Sequence, residues 1–194
     1  KPDIGAIENT TQPENGSTYF VRTNGSNSND GKSWATAFAT LRNALSQAQA
    51  NGIKNIWIAA GTYKEDATVN MVNGVNVYGG FKAYGNPGMR EGERDISNLK
   101  NDYQTILDGG GNKRVVYGSG ITTATLWEGL TIQNGYLKGD NGSGVYMSGT
   151  VTVKNCLIRD NILTSTDLRK GGAGVYLGSS SCRLVDCVVR NNLL

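Results

Sequence analysis

A pattern that occurs twice constrains most strongly what this chain can fold into. It begins as Gly142-Ser143-Gly144-Val145-Tyr146-Met147 and continues as Val151-Thr152-Val153-Lys154-Asn155-Cys156-Leu157-Ile158-Arg159-Asp160-Asn161. Its copy reads Gly172-Ala173-Gly174-Val175-Tyr176-Leu177, then Cys182-Arg183-Leu184-Val185-Asp186-Cys187-Val188-Val189-Arg190-Asn191-Asn192. Gly144 and Gly174 are 30 residues apart and Cys156 and Cys187 are 31, which puts one inserted residue in the turn between the two strands. A weaker copy, Leu126 to Gly135, lies 26 or 27 residues upstream. A period of this size marks a chain in which each repeat buries its apolar face against the next.

The runs inside each repeat are short, β-branched or aromatic, and bounded by Gly, Asn, Asp or Ser. That is strand chemistry with turn punctuation. No stretch with helical spacing separates them, so an α/β crossover is not available. Strands that recur once per repeat then pair in parallel with their copies, about 4.8 Å apart. The expected fold is all-β, a right-handed parallel β-helix solenoid, in line with the handedness of parallel crossovers. Equivalent residues stack: Cys156 with Cys187, Ile158 with Val189, Arg159 with Arg190, and Asn161 with Asn192, the asparagines bonding to one another and to turn backbone. Cys156 and Cys187 read as stacked core thiols. A disulfide between them is the alternative, since neighbouring strands bring Cα atoms within its range. The count of three leaves one thiol over.

Composition narrows the chemistry. There is no histidine among the 194 residues, which removes Ser-His-Asp and Cys-His catalysis and histidine zinc sites from this chain. Net charge is +3 with no Lys/Arg cluster, so nucleic acid is not an expected partner. No apolar run is long enough for a transmembrane helix. The chain starts at Lys1 without a signal peptide and stops in mid-repeat at Leu193-Leu194, and reads as a piece truncated at its C-terminus, with an uncapped end available for self-association.

Residues 1–17 read as a leader or linker, and 18–194 as one domain. Gly25-Ser26-Asn27-Ser28-Asn29-Asp30-Gly31 is a turn cluster in which calcium is a minor alternative, with one carboxylate and no downstream bidentate Glu. Otherwise no cofactor or metal is expected. Trp34, Phe38, Leu41, Leu45 and Ala48 predict one amphipathic helix over about 33–50, capped by Ser33 or Thr36 and ended at Asn51-Gly52. Its expected role is to cap the first coil. The charged segment between Phe81 and Gln104, with Met89-Arg90-Glu91-Gly92-Glu93-Arg94-Asp95, reads as a functional loop or an elaborated turn.

Several segments together carry a family likeness. They are Tyr19-Phe20-Val21, Asp30-Gly31-Lys32-Ser33-Trp34-Ala35-Thr36-Ala37-Phe38-Ala39-Thr40-Leu41, Ile56-Trp57-Ile58-Ala59-Ala60-Gly61-Thr62-Tyr63, Tyr78-Gly79-Gly80-Phe81, Arg94-Asp95 and Thr105-Ile106-Leu107-Asp108-Gly109. Over about 18–194 the chain resembles the pectin-lyase-like right-handed parallel β-helix superfamily, and more narrowly bacterial cell-surface proteins related to polymorphic outer-membrane proteins and adhesins. Asp3-Ile4-Gly5-Ala6-Ile7-Glu8 resembles the ending of such modules, which makes 1–8 the expected tail of a preceding one, with a strand docked on the first coil as the alternative.

The resemblance implies a bacterial, secreted or outer-membrane-associated location and a polysaccharide or host-surface ligand. It also raises two chemistries. Lyases of the fold use a basic Arg or Lys, with calcium on clustered acids, and its hydrolases need close Asp residues on neighbouring strands. The candidates here are Arg159 and Arg190 with Asp160 and Asp186, but the two acids occupy different repeat positions, so the Asp cluster is missing. Trp127, Tyr146 and Tyr176 point away from the core if Leu126, Val145 and Val175 point in, and are candidates to bind sugar rings; the tyrosines read equally as a stabilising surface stack. The expected function is a non-catalytic, glycan-binding or adhesin-like surface segment. A polysaccharide lyase or hydrolase fragment acting on acidic glycans is the alternative, and a structural spacer the second.

Overall fold

The computed structural model describes residues 18–82, 93–97, 102–167 and 169–194. The leader, and with it the reading of 1–8 as a module tail, lies outside the described residues, as does most of the charged segment after Phe81. In chain order the elements are β1 (Thr18–Val21), α1 (Leu41–Asn51), β2 (Asn55–Ala59), β3 (Gly61–Tyr63), β4 (Val69–Asn70), β5 (Asn76–Phe81), β6 (Thr105–Asp108) and β7 (Val116–Glu128). There follow β8 (Leu130–Gln133), β9 (Tyr136–Lys138), β10 (Val145–Lys154), β11 (Leu157–Arg159), β12 (Ile162–Thr164), β13 (Val175–Leu177), β14 (Arg183–Val185) and β15 (Val188–Arg190).

The strands form three sheets, and the strands pair in parallel throughout. The largest runs β1-β2-β5-β7-β10-β13, with β4 also on β7 and β14 also on β10; the second runs β15-β11-β8-β6-β3; the third joins β12 to β9. The registers are those of the repeat: Val145 lies opposite Val116 and Val175, Leu157 opposite Thr131 and Val188, Ile158 opposite Ile132 and Val189. Val153 pairs with Trp127 and Ile158 with Ile132, each 26 positions apart, so the weak upstream copy needs no gap. Inward side chains of the two larger sheets meet in one core, among them Ile58, Val77, Trp127, Val153, Ile132 and Ile158. Burial of each such side chain contributes about 1.5–3 kcal/mol.

Two corners bound the strands of the second sheet, one toward the large sheet and one on the side of the third, and both use left-handed backbone. Gly129, Asn155 and Asp186 hold one at φ of 73°, 49° and 50°; Asn134, Asp160 and Asn191 hold the other at 55°, 56° and 54°. Asn and Asp are the side chains that best tolerate this conformation. Within each repeat the two corner residues are five positions apart: 129 to 134, 155 to 160, 186 to 191. The stretch inside the large sheet is not fixed in this way, for the partners of Val145 and Val153 are Val116 and Trp127 on one side and Val175 and Leu184 on the other. The extra length of β7 is absorbed at Gly149, flanked by register shifts at φ 106°; a Cβ there would lie within 3 Å of Ile121 backbone.

Backbone N–H groups at the first corner are satisfied by side chains, for Leu130 and Cys156 by one in the following repeat. Gly80 N–H donates to Thr105 Oγ1 at 3.0 Å, Leu130 N–H to Cys156 Sγ at 3.5 Å, and Cys156 N–H to Cys187 Sγ at 3.4 Å. Next to this row, Gly135 N–H donates to Asn161 Oδ1 at 2.8 Å and Asn161 N–H to Asn192 Oδ1 at 3.1 Å. Asn161 is fully buried, and its amide also donates to Ile132 O and Asn192 Oδ1. The expected asparagine stack therefore forms, and its members close turns that would otherwise bury unpaired donors.

Two expectations need correction. The helix starts at Leu41, not near residue 33. Ser33 and Thr36 close a turn instead: Ser33 Oγ accepts the Thr36 N–H, and Thr36 Oγ1 donates to Asp30 at 2.6 Å. Phe38 then exchanges backbone hydrogen bonds with Phe20 and Arg22 at the edge of β1, so the chain stays extended until Thr40, whose hydroxyl accepts the Asn43 N–H and caps α1. Gly52, at φ 70°, ends the helix as expected. Leu41, Ala44, Leu45 and Ala48 are buried in the main core, against β1 and β2. The second correction is Trp127. It is fully buried, with Thr125 also inward and Leu126 only half-buried, because alternation along β7 runs opposite to the expected phase.

Candidate functional site

Tyr146 and Tyr176 form the stack that the repeat predicts, and a third ring extends it. Tyr117 is paired in register with Tyr146, as Tyr146 is with Tyr176. Ring centroids are 5.0 Å apart at 27° and 5.3 Å apart at 14°. All three are half-buried on the outer face of the large sheet, since Val116, Val145 and Val175 take the inner face. The rings cover one another, so the row presents mainly edges and phenolic hydroxyls, one per strand. Tyr117 is not marked by the repeat pattern, because Arg114-Val115-Val116-Tyr117 lacks the Gly-x-Gly lead of the later copies. The Val-Tyr pair itself, 29 residues before Val145-Tyr146, was the available signal.

Arg114 closes one side of this row. Its guanidinium lies 4.9 Å from the Tyr117 ring centre and 5.5 Å from that of Tyr146. It donates to Asp140 at 2.7 Å, to Asn141 O at 2.7 Å and to Gly142 O at 3.0 Å. Asp140 is held below the usual carboxylate range chiefly by that guanidinium. Tyr146 is pushed up, first by burial and then by its tyrosine neighbours and Asp140, with Arg114 opposing. With these partners Arg114 fixes the 140–142 turn against the rings and is not an open anion site.

The candidates for catalysis do not converge. Arg159 and Arg190 stand in register, and Arg159 pairs with Asp160 at 3.1 Å. Asp160 holds one left-handed corner and Asp186 the other. A cleft of about 350 Å³ beside α1 has Lys54 as its one charged lining residue, so it contains no acid–base pair. Asp30 is occupied by the Lys32 N–H and the Thr36 hydroxyl, which hold it below the ordinary value. Among the described residues no group of His, Cys, Asp and Glu is placed to hold a metal ion.

A second aromatic cluster lies on the same sheet. Trp57 and Phe81 stack at 4.4 Å, Trp34 and Phe20 pack beside them, and Trp34 and Phe81 are buried. Arg94 reaches over Tyr78 and Phe81, donates to Gly79 O at 2.8 Å and pairs with the buried Glu128 at 3.0 Å. Asn155 Nδ2 also donates to Glu128, at 2.9 Å. Burial and Glu128 push Tyr78 up. This cluster clamps residues 93–97 onto β5 and leaves its ring faces covered.

Comparison with known protein-family models, curated proteins and solved structures finds no match for this chain. Among the described residues no helix is long and apolar enough to cross a membrane.

Proposed function

We propose that the chain is a right-handed parallel β-helix segment of a secreted or cell-surface protein, and that it binds an extended glycan along the tyrosine row without transforming it. The fold reading is supported by parallel pairing of every strand with its copy in the neighbouring repeats and by the two recurrent corners. It also agrees with the likeness to the pectin-lyase-like superfamily over about 18–194. The observation that carries the function is the in-register row Tyr117, Tyr146 and Tyr176 at 5.0 and 5.3 Å. A linear polymer lying across the strands meets one hydroxyl and one ring edge at each strand spacing. Tyrosine suits such contacts because it couples an apolar body to a polar tip.

The test is retention of the protein on immobilised neutral and acidic polysaccharides, compared with Tyr146→Phe and Tyr146→Ala. Retention that weakens with loss of the hydroxyl alone, and further with loss of the ring, supports the row as the contact. Retention unchanged in both variants overturns it, and release of shortened or unsaturated sugars overturns the non-catalytic reading.

A further inference from the structure

Cys156 and Cys187 occupy the same place in adjacent repeats. Each follows a left-handed corner residue, Asn155 or Asp186. The strands on either side are in register, Lys154 with Val185 and Leu157 with Val188. Each sulfur lies against the carbonyl two residues back, Cys156 Sγ to Lys154 O at 3.1 Å and Cys187 Sγ to Val185 O at 3.2 Å. The Cys156 backbone N–H donates to Cys187 Sγ at 3.4 Å. Paired parallel strands hold Cα atoms about 4.8 Å apart, inside the roughly 4.4–6.8 Å that a disulfide spans.

The two thiols differ in setting. Cys156 is fully buried, whereas Cys187 is half-exposed. Burial pushes the Cys156 thiol up, while the neighbouring Cys156 side chain and its backbone N–H lower Cys187 to about 7. A thiolate is the reactive form, so the less buried of the two cysteines is also the one richer in thiolate. Cys182 is buried and its sulfur contacts Met147 O, Gly149 O and Ser179 Oγ, with no second sulfur among its partners.

We propose that Cys187 and Cys156 form a redox-active dithiol, with Cys187 the sulfur attacked by a peroxide and Cys156 the resolving thiol. Cys187 thiolate attacks one peroxide oxygen, the O–O bond breaks, and the departing hydroxide takes a proton to become water. Sulfur is thereby oxidised to the sulfenic acid and the peroxide is reduced. Cys156 then gives up its proton and its sulfur attacks the sulfenic sulfur. The S–S bond forms, the S–O bond breaks, and the hydroxyl leaves with that proton as a second water. Two thiols and one peroxide become one disulfide and two waters, and the clip ties β11 to β15 beside their shared corner.

The 194-residue chain itself supplies the test. Trypsin sites after Lys154, Arg159, Arg183 and Arg190 put the three cysteines on separate peptides. The protein is treated at neutral pH with one equivalent of hydrogen peroxide, blocked with iodoacetamide, digested and analysed by mass spectrometry. The expected product is a single intrachain link between the Cys156 and Cys187 peptides, with Cys182 alkylated. Without peroxide, Cys187 is expected to alkylate at least about tenfold faster than Cys156 or Cys182. Cys156→Ser is expected to replace the link with a dimedone-trapped sulfenic acid at Cys187. A link through Cys182, a link between chains, no link at all, or alkylation of Cys182 as fast as that of Cys187 overturns the proposal. The alkylation comparison uses the unsubstituted protein and does not depend on how the variant folds.

Discussion

Asn192 Oδ1 accepts two hydrogen bonds from Asn161, one from its backbone N–H at 3.1 Å and one from its side-chain amide at 2.9 Å. Asn161 Oδ1 in turn accepts the Gly135 N–H. One side chain therefore serves three repeats, and removing it strands a buried donor and a buried acceptor at once. Asn161→Ala is expected to lower stability by about 3 kcal/mol, read as a drop in urea midpoint with unchanged slope. Asn161→Asp is expected to be at least as damaging at neutral pH, since a carboxylate there faces Ile132 O and Asn192 Oδ1. A loss below about 0.5 kcal/mol for Asn161→Ala contradicts this account.

Trp127 separates packing from binding. It is fully buried and its Nε1 has no partner among the described residues. Trp127→Ala is expected to lose about 3–5 kcal/mol through the cavity it leaves. Trp127→Phe gives up area but also removes an unsatisfied donor, terms of opposite sign and each about 1–3 kcal/mol, so its loss is expected to be much smaller. Neither change is expected to alter retention on polysaccharides, provided the protein is folded. Selective loss of retention in a folded Trp127→Phe protein sinks that assignment.

Glu65 gives a signed pH dependence. It is 6% exposed and its Oε1 accepts the Leu41 N–H at 2.7 Å at the start of α1. Burial raises its pKa, opposed by the backbone N–H groups of Leu41 and Arg42. A carboxyl raised in the folded state contributes stability that is fully present below its unfolded value, about 4.3, and is lost as pH rises through the folded value. Glu65→Gln keeps the acceptor without the buried charge. The variant is therefore expected to gain on the parent protein as pH rises from about 4 to 7, in parallel urea titrations. A parent protein that gains on the variant over that range reverses the sign and refutes the assignment.

Gly149 tests the extra length of β7. Its φ of 106° is left-handed territory, and an added Cβ meets Ile121 backbone, which cannot swing aside as a flexible side chain would. Gly149→Ala is expected to lose about 2 kcal/mol or more in chemical denaturation, with the strain term alone about 1 kcal/mol. A neutral result means that the register shift relaxes.

The parts legible in the sequence were those the repeat imposes. Arg159 against Arg190, Ile158 against Val189 and Cys156 against Cys187 follow from aligning two segments, because parallel pairing places copies side by side. What failed was local phase. Ser33 and Thr36 carry cap chemistry, but Asp30 and the edge of β1 claim that stretch. Leu126 and Trp127 are both apolar, and composition cannot say which faces in; a larger side chain filled the core at Trp127. Arg94 and Glu128, whose pairing clamps a distant segment, are 34 positions apart with no pattern joining them.

The fixed spacing of the two left-handed corners has a consequence for how such a chain can lengthen over evolution. The five-residue step between corners recurs in three repeats, while the stretch before it differs in each. A residue gained within 155–160 would turn Leu157, Ile158 and Arg159 to the opposite faces and break the pairing on both sides. A residue gained between Leu177 and Cys182 leaves every later register intact, as the one already there does. Across the three repeats that carry both left-handed corners, differences in length therefore fall on one side of the molecule, while the long segment after Phe81 enters at the corner of an earlier repeat that lacks this pair.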